Sequence, residues 1–377
     1  MAIDETTAPH SQYEDHLRAL RDRDWKLEDI PFYEPGEATD FSDVAGMDYL
    51  DIYPEVWGRK CGENGIGRLR EVAISVITDA EMAAYDQRYP FHQDLTWLES
   101  HGLQRADISK MQEEQANYAE LLEQAGVTVN WIDWGEAPMS AFGPMQAMWA
   151  PSDLWIIRGG SVIQKTGWHP FSFGRSEFMA RWAQHHLGVP ILYTIVGKGV
   201  QEPATTMWFA DDVWITGISA AYNAEGNRQL EPVVRRSAGD VDLEVHTIYL
   251  STDRFVDRDS GCSAHLTNAI CPLDIDKVLV YPSAVDAGTH EWLKRKGYKV
   301  VEVESRDEQI LYTPTNTIPL EPGVIFMVKE AKQAVAAVRK AGVEVIEVPN
   351  EEFSRIGGAL HCRTMRVLRD PGPLKNV

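Results

Sequence analysis

The sequence predicts an α/β protein assembled from five copies of one small unit, each reading strand, strand, helix, strand. Three observations predict it. An amphipathic helix, a glycine and a β-branched run recur along the chain, further strand pairs lie between the recurrences, and the glycines fall roughly 45–60 residues apart. Units of this kind cannot bury their apolar faces alone, and five of them would close into a ring around an axis. A doubly wound α/β sheet alternates in a similar way, so the repeat count leaves both architectures open.

Residues 1–60 are polar, rich in aspartate and glutamate, and dotted with Trp25, Phe32, Tyr33 and Pro35. They are expected to form an extension that packs along a surface, with residues 61–377 making one domain. The first repeat has Met111, Gln115, Tyr118 and Leu122 at helical spacing, then Gly126 and the strand VTVNWID. The second has Phe178, Trp182 and His186, then Gly188 and VPILYTI. A weaker third has Gly239 before VDLEVHTIYL, with Pro232 interrupting its helix. The fourth runs through Trp292 and Leu293 to Gly297 and YKVVEVE, and the fifth has Ala331, Val335 and Val338 before Gly342 and VEVIEVP. Each glycine is expected in the left-handed conformation that ends a helix before the chain turns into a strand.

The 377 residues carry 57 acidic and 36 basic side chains, a formal charge of −21. That balance argues against a nucleic-acid partner and would attract cationic small molecules, although most of it reads as solvated surface. The N-terminus lacks the apolar core of a signal peptide, and no stretch approaches the ~18 apolar residues of a membrane span. Four cysteines (Cys61, Cys262, Cys271 and Cys362) are too sparse for a disulfide framework. The expectation is a cytoplasmic, reduced protein in which a special cysteine acts as a thiolate.

The segment Gly357-Gly358-Ala359-Leu360-His361-Cys362-Arg363-Thr364 carries the most chemical information. Two adjacent glycines are expected to let backbone approach a ligand closely, with Cys362 at a pocket floor. A lone cysteine is more often a small buried hydrophobe, and a nucleophilic one needs a base or cation nearby, for which histidine is the usual choice.

GGALHCRTMRVLRD resembles the C-terminal signature of the guanidino-modifying superfamily, the penteins, which includes arginine deiminases, dimethylarginine dimethylaminohydrolases and amidinotransferases. WGRKCGENGIGRLREVAIS from Trp57 resembles the family's opening strand, GPMQAMWAPSDLWIIRGGSVIQ from Gly143 its guanidinium-binding segment, and RSEF from Arg175 follows in order. The resemblance covers the chain after the extension and implies a five-bladed α/β propeller of ββαβ repeats. It implies Cys362 as nucleophile, His265 as general acid/base, Glu202 as the acidic partner of that histidine and Asp153 as the guanidinium-binding carboxylate.

A carboxylate at Asp153 would hold a planar cation by paired charge-assisted hydrogen bonds. Cys362 would attack the central carbon to give a thiouronium-type intermediate, and His265 would protonate the departing nitrogen, then deprotonate water or an acceptor amine. The expected activity is a hydrolase releasing ammonia or an amine from a guanidino or amidine compound. An amidinotransferase is the alternative, and a non-catalytic ligand- or protein-binding member is a third. No metal and no organic cofactor are expected. Cys262 and Cys271 flank His265, but their spacing is not a zinc pattern.

The departures bear on the substrate. Thr267 stands where deiminases carry a second aspartate, and Thr205 replaces another acidic position; both are candidate substrate contacts, as is Arg175. Asp211 or Asp212 is an alternative to Glu202, His169 and Trp168 are candidate pocket-lining residues, and Arg158 is a candidate for the substrate's remote end. The extension is a candidate lid or homodimer contact.

Overall fold

The five repeats form five three-stranded sheets of one pattern. The computed structural model describes residues 12–29, 33–38, 45–79, 104–135, 138–141, 143–145, 147–165, 172–252, 256–257 and 260–376. His169 and Trp168 lie outside the described residues.

In chain order the sheet strands are β1 (Leu69–Ser75), β2 (Thr128–Ile132), β3 (Trp155–Ile157), β4 (Gly160–Ile163), β5 (Ile191–Thr194), β6 (Thr206–Ala210), β7 (Val213–Ile218) and β8 (Glu244–Tyr249). They continue as β9 (Ile270–Asp274), β10 (Lys277–Val280), β11 (Lys299–Glu302), β12 (Ile318–Glu321), β13 (Val324–Val328), β14 (Glu344–Val348) and β15 (Met365–Arg369). The helices are α1 (Gln12–Arg21), α2 (Tyr49–Trp57), α3 (Ile108–Gln124), α4 (Arg175–Leu187), α5 (Ala224–Ala238), α6 (Ala287–Arg295), α7 (Arg306–Tyr312), α8 (Lys332–Lys340) and α9 (Glu351–Arg355).

The sheets are β15-β1-β2, β3-β4-β5, β6-β7-β8, β9-β10-β11 and β12-β13-β14. In each, the first pair is antiparallel and the second parallel. A parallel pair needs a crossover, and α3, α4, α5, α6 and α8 supply it. The sheets meet around an axis: among their first strands β15 touches β3, β6 touches β9 and β9 touches β12, and β12 touches β1, the neighbour of β15. Between the second and third sheets Trp155 stacks on Trp214, centroids 6.1 Å apart, with Trp208 in the same cluster. This is the five-bladed propeller, and its first blade is completed by the last strand of the chain.

All five hinge glycines have positive φ: 79° at Gly126, 62° at Gly188, 72° at Gly239, 71° at Gly297 and 81° at Gly342. At Gly188 a side chain would also strike the ring of Tyr13, so α1 lies directly on this turn. Two local expectations are corrected. Helix α5 runs unbroken through Pro232. Pro232 sits on the exposed face, where a carbonyl that has lost its N–H partner faces solvent, while Leu230, Val234 and Ala238 keep the buried stripe. In α4 the buried stripe is Met179, Ala180, Ala183 and Leu187. Phe178, Trp182 and His186 form a half-buried flank under Trp134 and α1, with Trp134 4.7 Å from the Phe178 ring and Glu14 paired to His186.

Helix α2 packs on the second blade. Tyr53 is buried in the cluster of Leu154, Ile156 and Met179, and Tyr49 Oη donates to the Gly159 carbonyl at 3.0 Å. No helix among the described residues is long and apolar enough to cross a membrane.

The segment that resembles the opening strand does more than lead into β1. Cys61–Gly67 threads between β15 and β3, with Gly62 N–H donating to the Val367 carbonyl at 2.8 Å and Glu63 N–H to the Ile156 carbonyl at 3.0 Å. Glu63 is buried at the axis and accepts from Arg366 Nε at 2.6 Å and Arg369 Nε at 3.2 Å. Arg369 also donates to the Gly67 and Pro319 carbonyls, tying three parts of the ring together. Removing one member of a buried ion cluster strands the others. Glu63→Ala should therefore cost about 3–5 kcal/mol in urea denaturation; a loss below about 1 kcal/mol would mean the cluster does not hold the closure.

Candidate active site

Each inner strand is preceded by a short turn, and these turns gather at one end of the ring. Ala147–Asp153 precedes β3, Pro203–Thr205 precedes β6, Leu266–Asn268 precedes β9, Thr315 and Asn316 precede β12, and His361–Arg363 precedes β15. The first of these turns touches both the last and the second, and the second touches the third. Asp153, Glu202, His265 and Cys362 thus arrive from four blades at equivalent places in the repeat.

Cys362 is half-buried at the start of the last blade strand. Its Sγ receives Asn316 Nδ2 at 3.2 Å, and its N–H donates to Asn316 Oδ1 at 3.3 Å, so one amide holds both ends of the residue. Asn316 Nδ2 also reaches Thr267 Oγ1 at 3.2 Å and Asn268 Oδ1 at 2.7 Å. Next in sequence, Arg363 is fully buried, sandwiched between the Tyr118 and Phe353 rings, and donates to Gln115 Oε1 at 2.8 Å. Burial lowers its pKa to about 10, so it stays charged at neutral pH and anchors the turn.

The glycine pair has a packing role. Gly357 takes φ 85°, and a side chain at Gly358 would run into the Trp149 ring. The pair lets the Cys362 segment pack against the turn carrying Asp153.

His265 Nε2 pairs with Glu202 Oε1, and buried Tyr222 completes a triangle: its hydroxyl donates to Glu202 Oε1 and lies 3.0 Å from His265 Nε2. The carboxylate and the phenol hydroxyl fix the orientation of the imidazole ring. Thr205 is buried in the same turn as Glu202, its hydroxyl within hydrogen-bonding reach of the Glu202 carbonyl at 2.8 Å and of Gln201 Oε1. Its place is in support of Glu202 and not on a ligand face. Thr267, also fully buried, positions Asn316.

Asp211 and Asp212 take no part in this cluster. Asp211 accepts from Gly372 N–H at 2.6 Å, and Asp212 accepts from the N–H groups of Lys375 and Asn376, so together they clasp the C-terminal tail. Cys262 and Cys271 each turn to a backbone carbonyl. The group of potential metal-binding side chains among the described residues, Glu14, His185 and His186, contains neither. Arg158 lies in the turn after β3, and a strand that starts at the site carries it to the far end of the ring. His361 faces the axis, in a cavity of about 30 Å³ shared with Glu63, Arg366 and Arg369. Burial, with Arg366 and His265 adding, holds His361 well below the usual histidine range and hence neutral.

Asp153 and Arg175 are both buried and form an ion pair through Asp153 Oδ2 and Arg175 Nε. Burial pushes the Asp153 carboxyl up to about 7 while Arg175 pulls it down and the nearby Glu202 adds to the rise. Burial also raises the Cys362 thiol above its ordinary 9.0; Asn316 opposes that, and the Glu202 and Asp153 charges reinforce it. Asn316 and Tyr222 were not singled out from the sequence. Asn316 occupies the same pre-strand position in the fifth repeat that Asp153 occupies in the second, which is the signal that would have found it.

An arginine deiminase family model matches residues 258–369. A 2-nitroimidazole nitrohydrolase of Mycobacterium sp. (strain JS330) is 33% identical over 358 residues, 93% of this chain and 93% of that protein. The chain belongs to the guanidino-modifying (pentein) superfamily. This pentein is an enzyme, and its fold is shared by solved structures of low identity. The N-terminal domain of ArgZ, an arginine dihydrolase bound to product, has a TM-score of 0.62 at 17% identity, covering 80% of this chain and 99% of that one. The amidinotransferase SxtG of Microseira wollei has a TM-score of 0.61 at 15% identity, over 82% of this chain and 97% of that one. Dimethylarginine dimethylaminohydrolase of Pseudomonas aeruginosa, complexed with citrulline, has a TM-score of 0.58 at 16% identity, over 79% and 99%.

The thiol pKa gives a direct test of the site's electrostatics. Because the charged form is the reactive one, alkylation of Cys362 by iodoacetamide should rise with pH and reach its midpoint above 9.0. Asn316→Ala removes a hydrogen bond to sulfur and should move the midpoint higher still. A wild-type midpoint below 9.0 would contradict the arrangement.

Proposed function

We propose that this pentein is a cysteine hydrolase acting at a carbon flanked by two nitrogens, the reacting centre of guanidino and amidine compounds. The observation that carries the reading is the convergence of Cys362 with the His265–Glu202–Tyr222 triangle and Asp153 at one end of the ring. Its 33% identical relative, a 2-nitroimidazole nitrohydrolase, supports the reading, since ring position 2 of an imidazole lies between the two nitrogens.

The Cys362 thiolate bonds to that carbon while the leaving group departs, taking a proton from imidazolium His265 when it leaves as an amine. The resulting S-linked amidine is then attacked by water, which gives a proton to His265, and the C–S bond breaks to restore the thiolate. Glu202 and Tyr222 keep the ring oriented through both steps. Asn316 holds the sulfur in line.

Incubation with guanidino and amidine compounds, followed by intact-protein mass spectrometry, should show an adduct on Cys362 that Cys362→Ser abolishes. An adduct on another residue, or product formation unchanged in Cys362→Ser, would sink the proposal. Tyr222→Phe should lower kcat roughly 10- to 100-fold with little change in KM, because it loosens a hydrogen bond to a charged pair and no substrate contact.

A further inference from the structure

Building on the cysteine-hydrolase reading, we propose that the substrate is an uncharged planar ring amidine, bearing its leaving group on the carbon between two ring nitrogens, because the protein's own Arg175 occupies the guanidinium seat on Asp153. The pair is internal to the site: Asp153 is 7% and Arg175 1% exposed, and their side chains form a direct ion pair. Arginine does not shed its proton in proteins, so this seat is filled by a permanent cation. A substrate guanidinium could take it only by displacing Arg175, and a buried charge stranded in this way costs several kcal/mol.

Nor is Arg175 free to swing aside. It opens α4, behind Gly174 at φ 91°, and the next residue, Ser176, is clamped by a hydrogen bond from Gln164 N–H at 2.9 Å at the end of β4. The other carboxylate whose charge reaches Cys362 is Glu202, which is engaged with His265 and Tyr222. The polar groups grouped around the sulfur, Asn316 with Thr267 and Asn268, are neutral. Among the described residues the carboxylates beside the sulfur are therefore engaged within the protein, Asp153 by Arg175 and Glu202 by His265 and Tyr222, and none is left over for an incoming cation.

That arrangement suits attack on a neutral ring. Addition of a thiolate across a C=N bond places negative charge on the ring nitrogens, which N–H donors stabilise. With a nitro leaving group, Cys362 Sγ bonds to the ring carbon as the C–N bond to the nitro group breaks and the electron pair leaves as nitrite. Nitrite takes no proton from the site, so this route runs with His265 as the neutral imidazole, which accepts a proton from water as the water oxygen bonds to the same carbon. The C–S bond breaks, the sulfur departs as thiolate, and a cyclic urea is released. One water is consumed, and neither oxidant nor reductant enters.

The test is a competition on the wild-type protein between 2-nitroimidazole and two guanidinium compounds, L-arginine and methylguanidine, read as nitrite release, urea-type product and the mass of the Cys362 adduct. The ring should be favoured by at least about 100-fold. Arg175→Gln, checked for folding by circular dichroism, should raise guanidinium turnover relative to ring turnover by at least about tenfold, whereas Arg175→Lys should keep the wild-type preference. Adducts from the guanidinium compounds but not from the ring would overturn the inference and leave the cysteine-hydrolase reading standing. A folded Arg175→Gln with unchanged preference would also overturn it. Absence of any Cys362 adduct with either class would sink the hydrolase reading, and this inference with it.

Discussion

The closure of the ring by its last strand is the constraint on which the rest depends. Strand β15 pairs antiparallel with β1, Val72 opposite Arg366 and Ala73 opposite Met365, so the first blade does not exist until the chain is complete. That pairing also brings Arg366 and Arg369 onto Glu63 at the axis. Cys362 stands just ahead of β15, and its position is therefore a product of closure: the nucleophile enters the site only when the ends of the ring meet. A shift of one residue in this register would turn each inward side chain outward and take Cys362 away from Asn316.

From closure follows the division of labour among the blades. Every inner strand begins at the same end of the ring, so the residue before each strand is offered to one common point. The second blade offers a carboxylate, the third another, the fourth a histidine, the fifth an amide and the first a thiol. A repeat fold thus supplies five independent positions whose chemistry can diverge while the scaffold stays the same. The supporting contacts are local to each turn: Thr205 to Glu202, Thr267 to Asn316, and Arg363 in its aromatic sandwich behind Cys362.

What was legible in the sequence divides along the same line between local and nonlocal physics. The five hinge glycines were readable because a positive φ at a helix end is a local demand, and all five have it, although Gly239 pairs it with ψ −134° and so lies outside the left-handed helical region. Buried helix stripes were readable where the apolar face is the buried one, as for Met111, Tyr118 and Leu122. The stripe of α4 was misjudged because α1 and Trp134 cover a second face, which only the tertiary fold reveals. Pro232 in α5 looked like a break because its solvent-facing position cannot be read from spacing alone. Of the site, Cys362, His265, Glu202 and Asp153 came from a resemblance, and the geometry brings them to one end of the ring. Asn316 and Tyr222 carry no reactive group that would draw notice in a sequence. The pairing of Asp153 with Arg175 joins a turn to a helix start across a whole hairpin, and nothing in either segment announces it.

Charge balance links this architecture to chemistry. Two buried carboxylates beside a thiol would by themselves oppose its ionisation, and here one is matched by Arg175 and the other by His265. A crystal structure of the protein with the covalent intermediate trapped, in a His265→Asn background to block its hydrolysis, would test the account most directly. The account predicts a bond from Cys362 Sγ to a carbon between two nitrogens, Asn316 still at the sulfur and Arg175 still paired with Asp153. Density for the ligand on another residue, or Arg175 displaced from Asp153 by the bound group, would contradict it.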